Sequence, residues 1–355
     1  MSEQKFPEIH YDRIFRNQKG MFGVNLIGML HEVVKLKGWS DKDVDDSLVT
    51  AFIESILGSD SVSKRDGNFL SLRSLIHHMY HFGKLRKVFR MEKGITEQLL
   101  YTEIKKIDGY FIQCPFNTIY LNLPYNQELL IPNHVTGEHR VEGIYVILDN
   151  IDPHYIRDYA NKTFAEKYPE NPPNKMLRLL IIGDSKNSNL LDDAIFYATL
   201  VFGDGDVLTQ IIPQIEKLSQ KSEQPYLIAC VKFVLNSLLY ITANESDAVT
   251  VNAKFEHYGK GKDASKVDKK NIGVSKLDQI SIGRGVQSPE RLNEYYGETE
   301  RKSRVLGCPK WLVRGHWTNQ VHGPNNSLRK LKWIKPYEKG QGLQTELINK
   351  PYSVK

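Results

Sequence analysis

Two runs decide the class of fold: Thr118-Ile119-Tyr120-Leu121-Asn122-Leu123-Pro124 and, further on, Gly143-Ile144-Tyr145-Val146-Ile147-Leu148. Both are rich in β-branched and aromatic residues, and Pro115, Pro124, Pro132 and Gly137 punctuate the chain around them. They predict strands of an antiparallel meander. Tyr110 to Ile112 reads as an earlier strand and Leu177 to Ile182 as a later one. Tyr168 to Asn174 carries three prolines, which exclude helix and ladder alike, so it reads as a loop.

Outward from this centre the texture is helical. On the N-terminal side Leu26, Ile27, Leu30, Val33 and Val34 recur at helical spacing, as do Leu48, Val49, Phe52, Ile53 and Ile56. A third helix carries Leu72, Leu75, Ile76, Met79, Leu85 and Phe89. Ser40-Asp41-Lys42-Asp43 has the look of a helix start, with acids in the first turn. On the C-terminal side Leu190 to Phe202 and Gln224 to Ile241 read as apolar helices, with Asp206 to Leu218 between them and interrupted by Pro213. Lys276 to Tyr296 suggests one more helix, weakened by Gly283 and Gly285.

The expected fold class is therefore α+β, with N-terminal helices, a central antiparallel sheet with packed helices, and a C-terminal basic β-ribbon. The expected divisions are a helical region over 1–95, an α+β core over 96–243, a flexible Lys/Gly-rich linker over 244–275, a helix plus basic ribbon over 276–340, and a tail over 341–355.

The chain has 355 residues, of which 25% are charged, and a net charge of +6. Its three cysteines, Cys114, Cys230 and Cys308, form no C-x-x-C pair, which speaks for a reducing compartment and against a cysteine zinc site. Met1 to Arg13 lacks an apolar core and a cleavage site, so no signal peptide is expected. The longest apolar run, Tyr226 to Ile241, is short for a membrane span and includes Lys232 and Asn236, so it reads as a buried helix. Cytoplasmic location and no membrane partner are the expectations.

The positive charge is uneven. Arg301, Lys302, Arg304, Lys310, Arg314, Arg329, Lys330, Lys332 and Lys335 all fall between Arg301 and Tyr337, a stretch without Asp or Glu that also holds three of the four tryptophans. Alternation within Trp311 to Trp317 and within Leu331 to Trp333 predicts two strands, with Gly323-Pro324-Asn325-Asn326 as the turn. Such a ribbon suits nucleic acid, through phosphate-holding Arg and Lys beside stacking Trp and His. It equally suits a protein partner, where Trp and Arg dominate binding, or plain core packing with arginines lying over the tryptophans. The candidate residues here are Arg314, His316, Trp317, His322, Arg329, Lys332 and Trp333.

Two other clusters bear on chemistry. His77-His78-Met79-Tyr80-His81 places His77 and His81 on one helix face, but the zinc-protease pattern needs Glu where His78 stands. With Phe82-Gly83-Lys84-Leu85-Arg86-Lys87 following, the reading is an amphipathic helix with a solvated basic side, and Tyr80 and Arg86 join the candidates for partner binding. Gly203-Asp204-Gly205-Asp206 could offer two acids to a cation, but the calcium-loop pattern does not continue, and Asp206 serves more simply as a helix cap. No P-loop, nucleophile elbow or dinucleotide fingerprint occurs. No catalytic residue, cofactor or metal is expected, and a metal-dependent nuclease using Asp204, Asp206 or the histidines stands as the remote alternative.

The order of features resembles a phage-encoded family of type V-A anti-CRISPR proteins. Four stretches carry the likeness: Met79 to Arg86; Thr118 to Pro124 with Gly143 to Val146; the end of the apolar helix at Ala243-Asn244-Glu245-Ser246-Asp247; and Arg314-Gly315-His316-Trp317 with Arg329, Trp333 and Pro336. After His316-Trp317 the family tends to carry a further aromatic, where this chain has Gln320-Val321-His322. The resemblance implies a recognition protein and not a nuclease. It implies binding of the nascent peptide of a target protein, at the ribosome and near its RNA, followed by loss of the encoding mRNA in the host cytoplasm. A nucleic-acid-binding phage accessory protein is the other reading of the same basic segment.

Overall fold

The computed structural model describes residues 9–15, 24–58, 67–125, 128–151, 173–184, 194–243, 249–252, 278–284, 286 and 311–339. A short helix, α1 (10–15), precedes α2 (Leu26–Lys37), α3 (Asp46–Leu57) and α4 (Gly67–Leu85). Local chemistry sets their ends. Asn25 accepts from the Gly28 N–H at 2.7 Å to open α2, and Asp45 accepts from the Leu48 N–H at 2.8 Å to open α3. The start expected at Ser40 forms only a single 3-10 turn, Asp41–Asp43, held by the Asp43 carboxylate on Ser40.

After α4 come β1 (Lys87–Met91), α5 (Lys93–Leu100), β2 (Thr102–Glu103), β3 (Thr118–Asn122), β4 (Leu130–Asn133), β5 (Gly137–Asn150), β6 (Lys175–Gly183) and β7 (Ile195–Phe202). They are followed by α6 (Val207–Leu218), α7 (Gln224–Ala243), β8 (Val249–Asn252), β9 (Asp278–Ile282), β10 (Trp311–Val313), β11 (Gly315–His322), β12 (Leu328–Ile334) and β13 (Tyr337–Lys339). The main sheet runs β7-β6-β5-β3-β1-β9-β8, with β4 paired to β5. The α+β class is as expected, and β3, β5, β6 and β7 are antiparallel neighbours. The sheet as a whole is mixed, because β1 lies parallel to both β3 and β9.

Period-2 alternation divides the strands between two cores. Ile119, Leu121, Ile144, Val146, Leu177, Leu179, Leu200 and Phe202 face α5, α6 and α7. Val88, Tyr120, Tyr145, Leu180 and Ile182 face α1 to α4. The N-terminal helices are thus one outer layer of a sandwich around the sheet, and β1, inside the region expected to be helical, is one of its central strands. Each fully buried Leu, Ile or Phe contributes about 1.5–3 kcal/mol. Beneath α4 the rings of Phe82, Tyr120 and Tyr145 meet at 4.6–6.0 Å. Gly143 opposite Asn122 makes room for one of them, since a Cβ there would stand 2.0 Å from the Tyr120 hydroxyl.

Several elements differ from the sequence reading. Leu190 to Phe202 was expected as a helix, but its described part is strand β7 from Ile195. Its apolar residues contribute to both cores, so the strand alternation is blurred, with Thr199 the one exposed position. Tyr110 to Ile112 is not a strand. Gly109–Phe111 forms a 3-10 turn capped by the Asp108 carboxylate on the Tyr110 N–H, and the Lys175 ammonium donates to the carbonyls of Gly109 and Ile112 at 2.9 and 2.8 Å. The third helix stops at Leu85, because Arg86 takes φ 49°, and Phe89 belongs to β1. Lys276 to Tyr296 contains β9, not a helix, in its described part. β8 lies within the stretch expected as linker, and the rest of that stretch and the 341–355 tail lie outside the described residues. α6 continues through Pro213. α7 is long and apolar enough to cross a membrane, yet 67% of its apolar window is buried within the protein.

Candidate functional site

The basic segment folds into the expected antiparallel ribbon, β11 and β12, turning at Pro324–Asn326. The strand expected over Trp311 to Trp317 is broken at Arg314, and its first part, β10, pairs with β13. Arg301, Lys302, Arg304 and Lys310 lie outside the described residues. The register pairs Trp317 with Trp333, Asn319 with Leu331 and Val321 with Arg329 on one face. His316 with Ile334, Thr318 with Lys332, Gln320 with Lys330 and His322 with Leu328 form the other. The candidate residues named from the sequence are therefore split between two surfaces.

The tryptophan face is turned inward. Trp317 is 7% exposed and belongs to the core shared with α7, and Trp333 is half-buried against it. Trp317 donates its indole N–H to the Asn236 side-chain carbonyl at 2.9 Å, while the Asn236 amide donates to the carbonyls of Leu99 and Thr102, both at 3.0 Å. Trp333 donates to the Thr102 hydroxyl at 3.1 Å and meets Tyr240 edge-on at 5.1 Å. At the ribbon's base Gly315 pairs in parallel with Thr102 of β2. A Cβ on Gly315 would come within 2.5 Å of the Thr102 hydroxyl and 2.8 Å of the Pro336 ring, so this close approach requires glycine. The anchor residues Thr102 and Asn236 escaped the sequence reading. Asn236 did carry a signal, as an amide in the middle of an otherwise apolar helix.

The opposite face is open. His316, His322, Leu328, Lys330 and Lys332 are exposed, and no acid lies among them. Arg329 is also exposed, near the tip where the inward face runs beyond the core. Arg314, just before β11, is exposed and holds its guanidinium 5.6 Å from the centre of the Tyr101 ring.

Tyr80 and Arg86 are buried in the helical layer, on the far side of the sheet from the ribbon's core. Tyr80 donates to Asp41 at 2.9 Å and stacks on His31 at 4.4 Å. Arg86 is ion-paired with Asp12 and lies over the Tyr11 ring at 5.1 Å. The solvated basic side expected for this helix is corrected in its histidine part. His77 and His78 are buried, and His77 and His81 converge on the Val44 carbonyl at 3.2 and 3.1 Å. Burial drives the pKa values of His77, His78 and His81 down, that of His78 to about 3. They are neutral packing groups at neutral pH, and Lys84 remains on the exposed side.

The Gly203-Asp204-Gly205-Asp206 loop is filled by Gln210, whose side chain accepts from the Gly203 N–H at 2.8 Å and donates to the Asp204 carbonyl at 3.1 Å. Asp206 stands at the N-cap of α6 and accepts from the Thr209 hydroxyl at 2.7 Å. Among the described residues no group of three His, Cys, Asp or Glu is placed to hold a metal ion.

Residues 89–337 match the model of a family described as AcrVA2-like, the anti-CRISPR type V subtype A2 family. A solved structure, described as the crystal structure of AcrVA2, aligns with a TM-score of 0.47 and 13% identity over 92% of this chain and 95% of that one. No curated protein sequence matches.

Proposed function

We propose, from the premise that this chain belongs to the AcrVA2-like family of type V subtype A2 anti-CRISPR proteins, that it acts as a recognition protein on a polypeptide under synthesis. It binds the nascent peptide of a target protein, a type V-A effector or another host protein, and suppresses production of that target through loss of its mRNA. It acts in the host cytoplasm without catalysing a reaction of its own. The observation that carries this reading is the two-sided ribbon. Its tryptophan face is consumed in docking, which holds the basic face rigid and open to solvent. A fixed cationic surface suits a protein that works beside ribosomal RNA, because polyanions attract it at long range. His316, His322, Lys332 and Arg329 are the residues we assign to that contact, supported by their exposure, and Arg314 to contact with the partner.

Co-expression with a type V-A effector tests the reading. Effector protein and its mRNA both fall when the chain is present. Unchanged levels of both remove the effector as the target.

The same basic face supports a second reading, a nucleic-acid-binding accessory protein. That reading predicts RNA or DNA binding that weakens steeply with salt and with Arg314→Ala and Lys332→Ala. Absence of binding at low salt removes it.

A further inference from the structure

We infer that the groove between the α5–β2 connection and α7, bordered by Arg314, is a peptide site for a segment that sets an apolar side chain beside an Asp or Glu. The inference locates the peptide recognition proposed above and rests on that reading.

The groove has a volume of about 330 Å³, room for a few side chains. Leu100 and Ile228 line it, half-buried and packed on the main core, and Pro225 and Ala229 extend the apolar surface along α7. Two exposed cations stand on it: Lys232 of α7 and Arg314 of the ribbon. Its acid, Glu103, is engaged by Lys105 at 2.9 Å. The lining thus offers apolar surface and net positive charge together. An occupant complementary to both carries an apolar group and a carboxylate.

Arg314 is ordered for this task. Its guanidinium rests over Tyr101, and the adjoining Gly315 is locked against Thr102 and Pro336. A guanidinium held in place loses less freedom when it takes a carboxylate in its two-pronged grip. Nucleic acid fits the groove less well. Tyr101 has one ring face under Arg314, and the Asn236 side chain, a possible reader of base edges, is occupied on both its atoms. Phosphates are met better by the outer face of the ribbon.

The test uses the full-length protein to select from a random heptapeptide display library. Enriched sequences are then synthesised and titrated by fluorescence anisotropy. Selected peptides pair apolar residues with Asp or Glu. Their affinity falls at least tenfold in Arg314→Glu and in Ala229→Glu, both at exposed positions, and is unchanged in Lys37→Glu, the same charge reversal on α2. Failure to enrich any peptide, or peptides that bind the two groove variants as well as the parent, overturns the inference. So does a twelve-nucleotide single-stranded RNA that competes for the groove more tightly than any selected peptide, which assigns it to nucleic acid. The co-expression assay separates the two levels. Groove variants that still silence the effector sink this site and leave the proposed function standing. A parent protein that does not silence sinks the function, while the anisotropy result judges the groove by itself.

Discussion

The indole N–H of Trp317 donates to the side-chain carbonyl of Asn236, at 2.9 Å and across 81 positions of sequence. This bond fixes the ribbon to α7, and through the Asn236 amide it also fixes the end of α5, where Leu99 and Thr102 present their carbonyls. One buried side chain thereby joins three elements. Asn236→Ala strands a donor and two acceptors away from water. Leaving a buried polar group unpaired costs about 1–3 kcal/mol, so the variant is expected to lose at least that much in denaturant unfolding. Its tryptophan emission is expected to shift to the red as the ribbon loosens. A variant with parental stability and emission would show that the bond does not anchor the ribbon.

Gly315 gives a steric test of the same docking. An added methyl overlaps the Thr102 hydroxyl and the Pro336 ring, and overpacking of this kind costs about 1–3 kcal/mol. Gly315→Ala is expected to lower the melting temperature, and Gly315→Val to lower it further. Equal melting of all three proteins would mean that the ribbon can move away from β2 without loss.

How far the sequence disclosed this arrangement depends on which contacts made each element. β3, β5 and β12 carry alternation or β-branched runs that are local properties, and they are legible. So is α7, whose apolar length exceeds a strand's. β7 is hidden because apolar residues occupy both of its faces, with Thr199 the one exposed break, which blurs the alternation that distinguishes strand from helix. β9 is set by its place between β1 and β8, a pairing that no local pattern encodes. In the ribbon, composition showed a basic aromatic segment. The division into a buried Trp317–Trp333 face and an open Lys330–Lys332 face follows from register and from Asn236, a distant residue. The groove beside Arg314 joins three separated stretches of chain, so it was out of reach of any linear reading.

Acid sensitivity follows from the helical layer. Burial holds the pKa of His31 down to about 4 and that of His78 to about 3, and lowers those of His10, His77 and His81. The unfolded chain takes up these protons near pH 6.5. Between that pH and the folded values the unfolded state binds more protons, so stability is full above pH 6.5 and declines as pH falls. Each histidine kept neutral contributes a slope of about 1.4 kcal/mol per pH unit. Unfolding free energy measured from pH 7 to pH 4 is expected to fall, and His78→Gln to flatten the curve by about one proton. A curve that is flat or rises toward acid contradicts the buried, neutral assignment.

Charge reversal on the open ribbon face separates function from folding. Lys330 and Lys332 point away from the core and are exposed. The pair Lys330→Glu and Lys332→Glu is expected to keep stability within about 0.5 kcal/mol of the parent, while suppression of the effector weakens. The measurement is the melting temperature beside effector mRNA in the co-expression assay. Retained suppression with the double reversal would place the working surface elsewhere.

The order of strands in the main sheet has a consequence for the protein's own synthesis. β1 is translated nearly two hundred residues before its neighbour β9. The cover over Tyr240 and Asn236 comes from Trp317 and Trp333, and Trp317 is translated 81 residues after Asn236. Until those segments leave the ribosome, a central strand lacks one partner and the apolar side of α7 lacks its lid. Pairings this distant along the chain close late and slowly. Chains truncated before Trp311 are therefore expected to present an unfinished core, so stable binding has to wait until the ribbon has been made.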